Sequence, residues 1–124
     1  MSQKINRNQS DNVTISTTVS MGYGTTAVVT RCGNLVTVNM NTVTNSMAAG
    51  DTLALGEIFP SGYRPIGGIY GSVVAVTTVG SNRGLGWNVV AGTGAMQLSN
   101  NVAITGATRI SGYGAWFTTD AWPA

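Results

Sequence analysis

The chain has 124 residues, enough for one domain that buries roughly two thirds of the surface of its unfolded chain. Charged residues make up 8% of the chain, against about 25% in ordinary soluble domains. A net charge of +2, spread over scattered basic residues, argues against nucleic acid as a partner. No apolar stretch approaches the roughly 18 residues that cross a bilayer, so membrane insertion is not expected either.

The surface must therefore be built from neutral polar residues. The sequence supplies 17 Thr, 17 Gly, 11 Asn and 10 Ser, a composition that suits packing between copies or contact with sugars. Residues 1–12 predict a polar N-terminal tail, and residues 13–124 predict a single β-barrel head domain. Cys32, the only cysteine, has no disulfide partner, so we expect it to be buried and inert.

Branched residues and frequent turn residues favour strands over helices. The predicted strands, some of them very short, are residues 13–19, 26–32, 35–41, 52–58, 69–79, 85–91, 95–99, 102–104, 108–111 and 114–119. Glycine-rich segments 80–84 and 92–94 predict hairpin loops, because neither carries the helix or the lysine of a phosphate-binding loop. The fold class predicted is all-β, an antiparallel jelly-roll-like sandwich or barrel of about eight strands.

The clearest local feature is a β-hairpin around Gly33 and Asn34. Both residue types tolerate the positive φ angles of tight hairpin turns. The alternation that follows predicts Val36, Val38 and Met40 on the inner face of the second strand. A one-residue slip would reverse this assignment.

The segment 59–65 reads Phe-Pro-Ser-Gly-Tyr-Arg-Pro. Its two prolines and its glycine exclude both a helix and a regular strand ladder. We expect Tyr63 to pack beneath this turn and the Arg64 guanidinium to bond nearby carbonyl groups.

Together, the hairpin segment 31–38 and the turn segment 57–65 resemble the C-terminal head domains of receptor-binding or baseplate proteins of tailed phages that infect Gram-positive bacteria. In that family a Gly-Asn hairpin precedes a Pro-x-Gly-Tyr-Arg-Pro turn, and a short aromatic segment closes the chain, as residues 116–123 do here. The resemblance covers about residues 25–123. It implies a jelly-roll-like barrel at the virion tail tip or baseplate, forming a homotrimer, contacting other phage tail proteins and binding a bacterial cell-wall polysaccharide.

Few residues are suited to catalysis. There is no histidine, and the carboxylates are Asp11, Asp51, Glu57 and Asp120. Hydrolysis of sugars needs two facing carboxylates. We expect these four carboxylates instead to be solvated or to cap turns. We therefore predict no enzyme activity, no catalytic residue, no metal site and no cofactor.

Sugar binding uses aromatic faces together with planar charged groups. The residues that offer these groups, with the favoured ones first, are Trp122, Asp120, Arg109, Trp116, Tyr113, Trp87 and Arg83. Trp87 and Trp116 lie in predicted strands, where core packing is the more common role. We expect Trp122 to stand clear of the sheet interior, because Pro123 keeps its segment extended.

The leading hypothesis is a trimeric adhesion head that binds a cell-wall saccharide. The alternative is a structural virion or baseplate subunit that contacts only proteins. A third hypothesis is a polysaccharide depolymerase that uses Asp120 or Glu57. The low charge also favours a homotrimer, because assembly buries apolar surface that charged groups do not cover.

Overall fold

A computed structural model describes residues 14–46, 50–67, 70–77, 84–100, 103–104 and 108–123, with only the backbone described for residues 50–56. Its strands are β1 (Thr14–Gly22), β2 (Thr25–Cys32), β3 (Leu35–Thr44), β4 (Gly50–Ile58), β5 (Tyr70–Thr77), β6 (Gly84–Val90), β7 (Ala95–Asn100) and β8 (Thr108–Phe117). The predicted all-β class is confirmed. The predicted tail at residues 1–12 and the candidate Arg83 lie outside the described residues. Within those residues, no helix is long and apolar enough to cross a membrane.

All eight strands belong to one antiparallel sheet in the order β1-β2-β3-β8-β5-β6-β7-β4. The order β8-β5-β6-β7 is a Greek key, in which three hairpin-connected strands are followed by a fourth that returns beside the first. The two end strands, β1 and β4, approach each other, so the sheet curls into a nearly closed barrel. The core lies inside this barrel.

The first long hairpin has the predicted register. Val29 opposes Val38 across β2 and β3, and Val36, Val38 and Met40 are all buried. The turn begins with Gly33 at φ 60, a conformation that favours glycine and matches the first central position of a hairpin turn. The hydrophobic alternation and the turn residues therefore identified the inner face of β3 correctly.

One prediction for this hairpin was wrong. Cys32 is exposed, whereas its neighbour Arg31 is 3% exposed. Successive side chains on a strand point to opposite faces, so burial of Arg31 forces Cys32 outward. Arg31 is buried because its side chain donates a hydrogen bond to the turn at residues 59–65.

The segments predicted at 108–111 and 114–119 are one continuous strand, β8. The glycines that suggested a break pack closely against β5. A Cβ atom on Gly112 would lie 2.7 Å from the Ala75 Cβ, and one on Gly114 would lie 2.6 Å from the Ser72 carbonyl oxygen. These glycines therefore permit close approach of two strands.

The loop between β6 and β7 is a hairpin connection, as predicted. Gly92 and Gly94 both have positive φ angles, and the Gly94 N–H donates to the Val90 carbonyl at 2.9 Å. In the predicted strand 102–104, Ile104 is buried and makes an isolated β-bridge. Residue 102 lies outside the described residues.

Candidate ligand-binding groove

Asp120, one of the favoured binding residues, holds the turn at residues 59–65. Its Oδ2 atom accepts hydrogen bonds from the backbone N–H groups of Gly62 at 2.9 Å and Arg64 at 3.1 Å. Its own N–H donates to the Thr118 hydroxyl at 3.1 Å. Two backbone donors therefore occupy one oxygen of the carboxylate that we expected to meet sugar hydroxyls.

Arg31 holds the same turn from the side of β2. Its guanidinium donates to the carbonyls of Gly62 at 2.6 Å and Gly33 at 2.8 Å. Its Cζ atom also lies 4.6 Å from the centroid of the Trp122 ring, within the range of a cation–π contact. The backbone acceptors and the Trp122 ring therefore compensate the cost of burying the Arg31 charge.

We call the cluster of Arg31, Gly62, Arg64, Asp120 and Trp122 the turn clasp. Trp122 is half-buried in it and is not one of the buried residues of the barrel core, and one face of its ring lies against the Arg31 guanidinium. The Arg64 guanidinium donates to the carbonyls of Phe59 at 2.8 Å and Gly92 at 2.6 Å. Tyr63 is buried. The structural roles predicted for Tyr63 and Arg64 are therefore confirmed.

Two further candidates belong to the core. Trp87 is fully buried and its Nε1 donates to the Met21 carbonyl at 2.9 Å. Trp116 is 6% exposed, packs edge-on against Phe59, and donates from Nε1 to the Tyr63 carbonyl at 2.7 Å. Neither indole presents a face to a ligand on the surface.

The remaining described candidates, Arg109 and Tyr113, lie on the outer face of β8. Arg109 donates to the Asn41 side chain at 2.8 Å, and Tyr113 is 55% exposed. They are four residues apart on one strand, about 13 Å at the usual rise. The described candidates thus divide among the core, the turn clasp and the outer face, and do not form one site.

A groove lies elsewhere, at the seam of the barrel between β1 and β4. Its volume is about 270 Å³, and its lining residues are Thr17, Thr18, Val19, Ser20, Glu57, Ile58 and Pro60. β1 pairs with β2 and β4 pairs with β7, so the two strands that border the groove each leave one edge without a ladder partner in the sheet.

The groove combines groups of three kinds. Hydroxyls come from β1, a carboxylate comes from Glu57 near the end of β4, and apolar surface comes from Ile58, which is 62% exposed, and from Pro60. No described residue donates a hydrogen bond to the Glu57 carboxylate, which is half-buried. A carboxylate can accept two hydrogen bonds at once, and a hydroxyl can both donate and accept.

Sequence reasoning considered Glu57 only as one of four possible catalytic carboxylates, and it did not single out the hydroxyls of β1. The groove exists because the first and fourth strands meet when the sheet curls. No local pattern in either strand indicates that meeting. Hydroxyls at the alternate positions Thr18 and Ser20, both exposed on β1, were the available signal, but threonine and serine are common throughout this chain.

Comparison with models of known protein families found no match to this chain. Comparison with curated proteins also found no matching sequence.

Proposed function

We propose that the chain is a non-enzymatic adhesion domain of a phage tail, which binds a bacterial cell-wall saccharide in the groove between β1 and β4. The observation that carries the proposal is the lining of the groove. It includes Glu57, whose carboxylate accepts no hydrogen bond from a described residue, and three residues that carry hydroxyls, Thr17, Thr18 and Ser20. These groups match the hydroxyls of a sugar, while Ile58 and Pro60 offer apolar contact to the C–H side of the ring.

The size of the groove is consistent with a small ligand. Its 270 Å³ lies just below the range of about 300 to 1,000 Å³ typical of pockets for drug-sized molecules. The ligand we expect is a short stretch of a polymer. Micromolar or weaker affinity at one groove is consistent with a shallow polar site, and several heads on one virion would raise the avidity.

The described carboxylates favour a binding function over hydrolysis. Hydrolysis of a glycosidic bond commonly uses one carboxyl group as acid and another as base or nucleophile. Of Glu57 and Asp120, the latter is engaged with the backbone of the turn. A depolymerase that uses this pair would depend on a carboxylate whose Oδ2 atom already accepts two backbone hydrogen bonds.

The test is binding of the labelled protein to arrayed cell-wall polysaccharides from Gram-positive bacteria. Glu57→Gln keeps the shape of the side chain and removes its charge. Gln retains an accepting oxygen, so the expected loss is the difference between a hydrogen bond to a charged group and one to a neutral group, about 1 to 1.5 kcal/mol. This corresponds to a roughly five- to tenfold loss of affinity.

A matched pair of threonine variants controls for indirect effects. Thr18→Ala removes an exposed hydroxyl inside the groove, whereas Thr119→Ala removes an exposed hydroxyl outside it. Thr18→Ala should weaken binding and Thr119→Ala should not. Unchanged binding in Glu57→Gln and Thr18→Ala, with the wild type bound, would place the ligand elsewhere. A wild-type protein that binds no polysaccharide would refute the proposal.

The alternative is a structural virion subunit that contacts only proteins. Exposed apolar side chains on the outer face of the sheet favour it. Labelled protein that binds other phage tail proteins but neither host cells nor saccharides would support this alternative.

A further inference from the structure

The groove between β1 and β4 carries one charge, and that charge is negative. Of the described residues that line the groove, Glu57 is the only ionisable one. The three described basic residues bind elsewhere. Arg31 and Arg64 hold the turn clasp, and Arg109 donates to Asn41 on the outer face of the sheet. The groove is therefore locally acidic among the described residues, although the net charge of the whole chain is +2.

The hydrogen-bonding chemistry of a carboxylate is one-sided. An ionised carboxylate accepts hydrogen bonds and donates none, whereas an amide side chain does both. The hydroxyls of a neutral sugar also donate and accept, so they can use both sides of an amide, and Asn occurs 11 times in this chain. A carboxylate in the groove is used most fully by a ligand group that only donates.

The charge of Glu57 favours a ligand group of opposite sign. Glu57 is half-buried, and a ligand in the groove removes more of the water that solvates its carboxylate. Removal of water from a charged group is costly unless an opposite charge replaces that water. An ammonium group supplies three donors, no acceptor and a positive charge. Hydrogen bonds that involve ionised groups are also roughly twice as strong as neutral ones.

We infer that the saccharide in the groove is an amino sugar, whose protonated amino group binds the Glu57 carboxylate. The hydroxyl oxygens of Thr18 and Ser20 can accept the remaining donors of the ammonium group, and Ile58 and Pro60 offer apolar surface to the ring. The same carboxylate disfavours acidic sugars and phosphate-bearing polymers, because like charges repel. This inference rests on the proposed function and adds the class of saccharide to it.

The test compares two oligomers that differ only at nitrogen. The full chain is titrated in a calorimeter with a linear glucosamine oligomer, in a buffer that keeps the amino groups protonated. The second ligand is the same oligomer after acetylation of every amino group, which removes the charge. We expect roughly five- to tenfold tighter binding of the amino form. Added salt should reduce this preference, because it screens the attraction between the charges.

Two variants with the same change in net charge distinguish a contact in the groove from a general effect of charge. Glu57→Gln raises the net charge by one and removes the carboxylate, so the preference for the amino form should disappear. Asn39→Lys raises the net charge by one at an exposed position of β3, outside the groove, and should keep the preference. Neither residue belongs to the buried core, so both variants should have the circular dichroism spectrum of the wild type.

Equal affinity of the wild type for the two oligomers would overturn the inference, and so would a preference that persists in Glu57→Gln. The arrayed cell-wall polysaccharides extend the comparison, since each is tested before and after N-acetylation. Polymers that bind equally well in both forms would refute the amino sugar and leave the proposed function standing. Binding that mild alkali abolishes would place the ammonium on an ester-linked amino acid and would also overturn the inference. A wild type that binds no saccharide in any form refutes the proposed function itself.

Discussion

Removal of the Asp120 carboxylate distinguishes a structural residue from a ligand contact. Asp120→Ala leaves the backbone N–H groups of Gly62 and Arg64 without their acceptor. Hydrogen bonds to charged groups contribute about 1.5 to 3 kcal/mol each. Because Asp120 is only half-buried, water replaces part of this contribution, and we expect a loss of about 2 to 4 kcal/mol in the free energy of unfolding.

That loss is large against a typical total of about 5 to 15 kcal/mol. Urea unfolding followed by tryptophan fluorescence should show a lower midpoint with an unchanged slope. Asp120→Asn, which keeps one carbonyl oxygen, should lose less, and Thr119→Ala should be near neutral because Thr119 is exposed. An Asp120→Ala protein with wild-type stability that no longer binds polysaccharide would refute the reasoning and return Asp120 to the list of ligand contacts.

Three further predictions test the register, a turn and the exposed thiol. Val36→Asp should destabilise the barrel by several kcal/mol, because it buries an unpaired charge, whereas Thr37→Asp should be much milder in urea unfolding; equal effects would mean that the register is off by one residue. Gly94→Ala should cost about 2 to 4 kcal/mol, because φ is +72 and the new Cβ would overlap the Phe59 carbonyl oxygen; an unchanged melting temperature would contradict that contact. Cys32 should react stoichiometrically with a thiol reagent in the native protein because it is exposed, and reaction only after unfolding would show it to be buried.

Local patterns were sufficient to predict much of the fold. Alternation and a Gly-Asn turn fix the hairpin of β2 and β3, because the residues that determine it are neighbours in sequence. The same reasoning failed at β8, where Gly112 and Gly114 resemble turn residues but instead admit the backbone of β5. Whether a glycine marks a turn or allows two strands to approach closely depends on which strand lies beside it. Local sequence patterns do not identify that neighbouring strand.

The candidate site was harder to predict, since it depends on contacts between distant parts of the chain. Asp120 meets Gly62 across 58 positions, and Arg31 meets Gly62 across 31. Charged residues are seldom buried, so nothing in the sequence indicated that Arg31 would be. Aromatic and charged residues near the end of the chain suggested a ligand site, but in the structure the same residue types hold the turn.

The turn clasp joins the three sequence motifs from which the phage head domain was proposed. The Pro-x-Gly-Tyr-Arg-Pro turn and the closing aromatic segment occur together here because Asp120 and Trp122 join them, with Arg31 of the hairpin between. All three motifs therefore belong to one structural unit, which holds the turn at residues 59–65. The groove depends on other positions, on β1 and around Glu57. Substitutions in the turn clasp should therefore change stability, whereas substitutions in the groove should change the proposed saccharide binding.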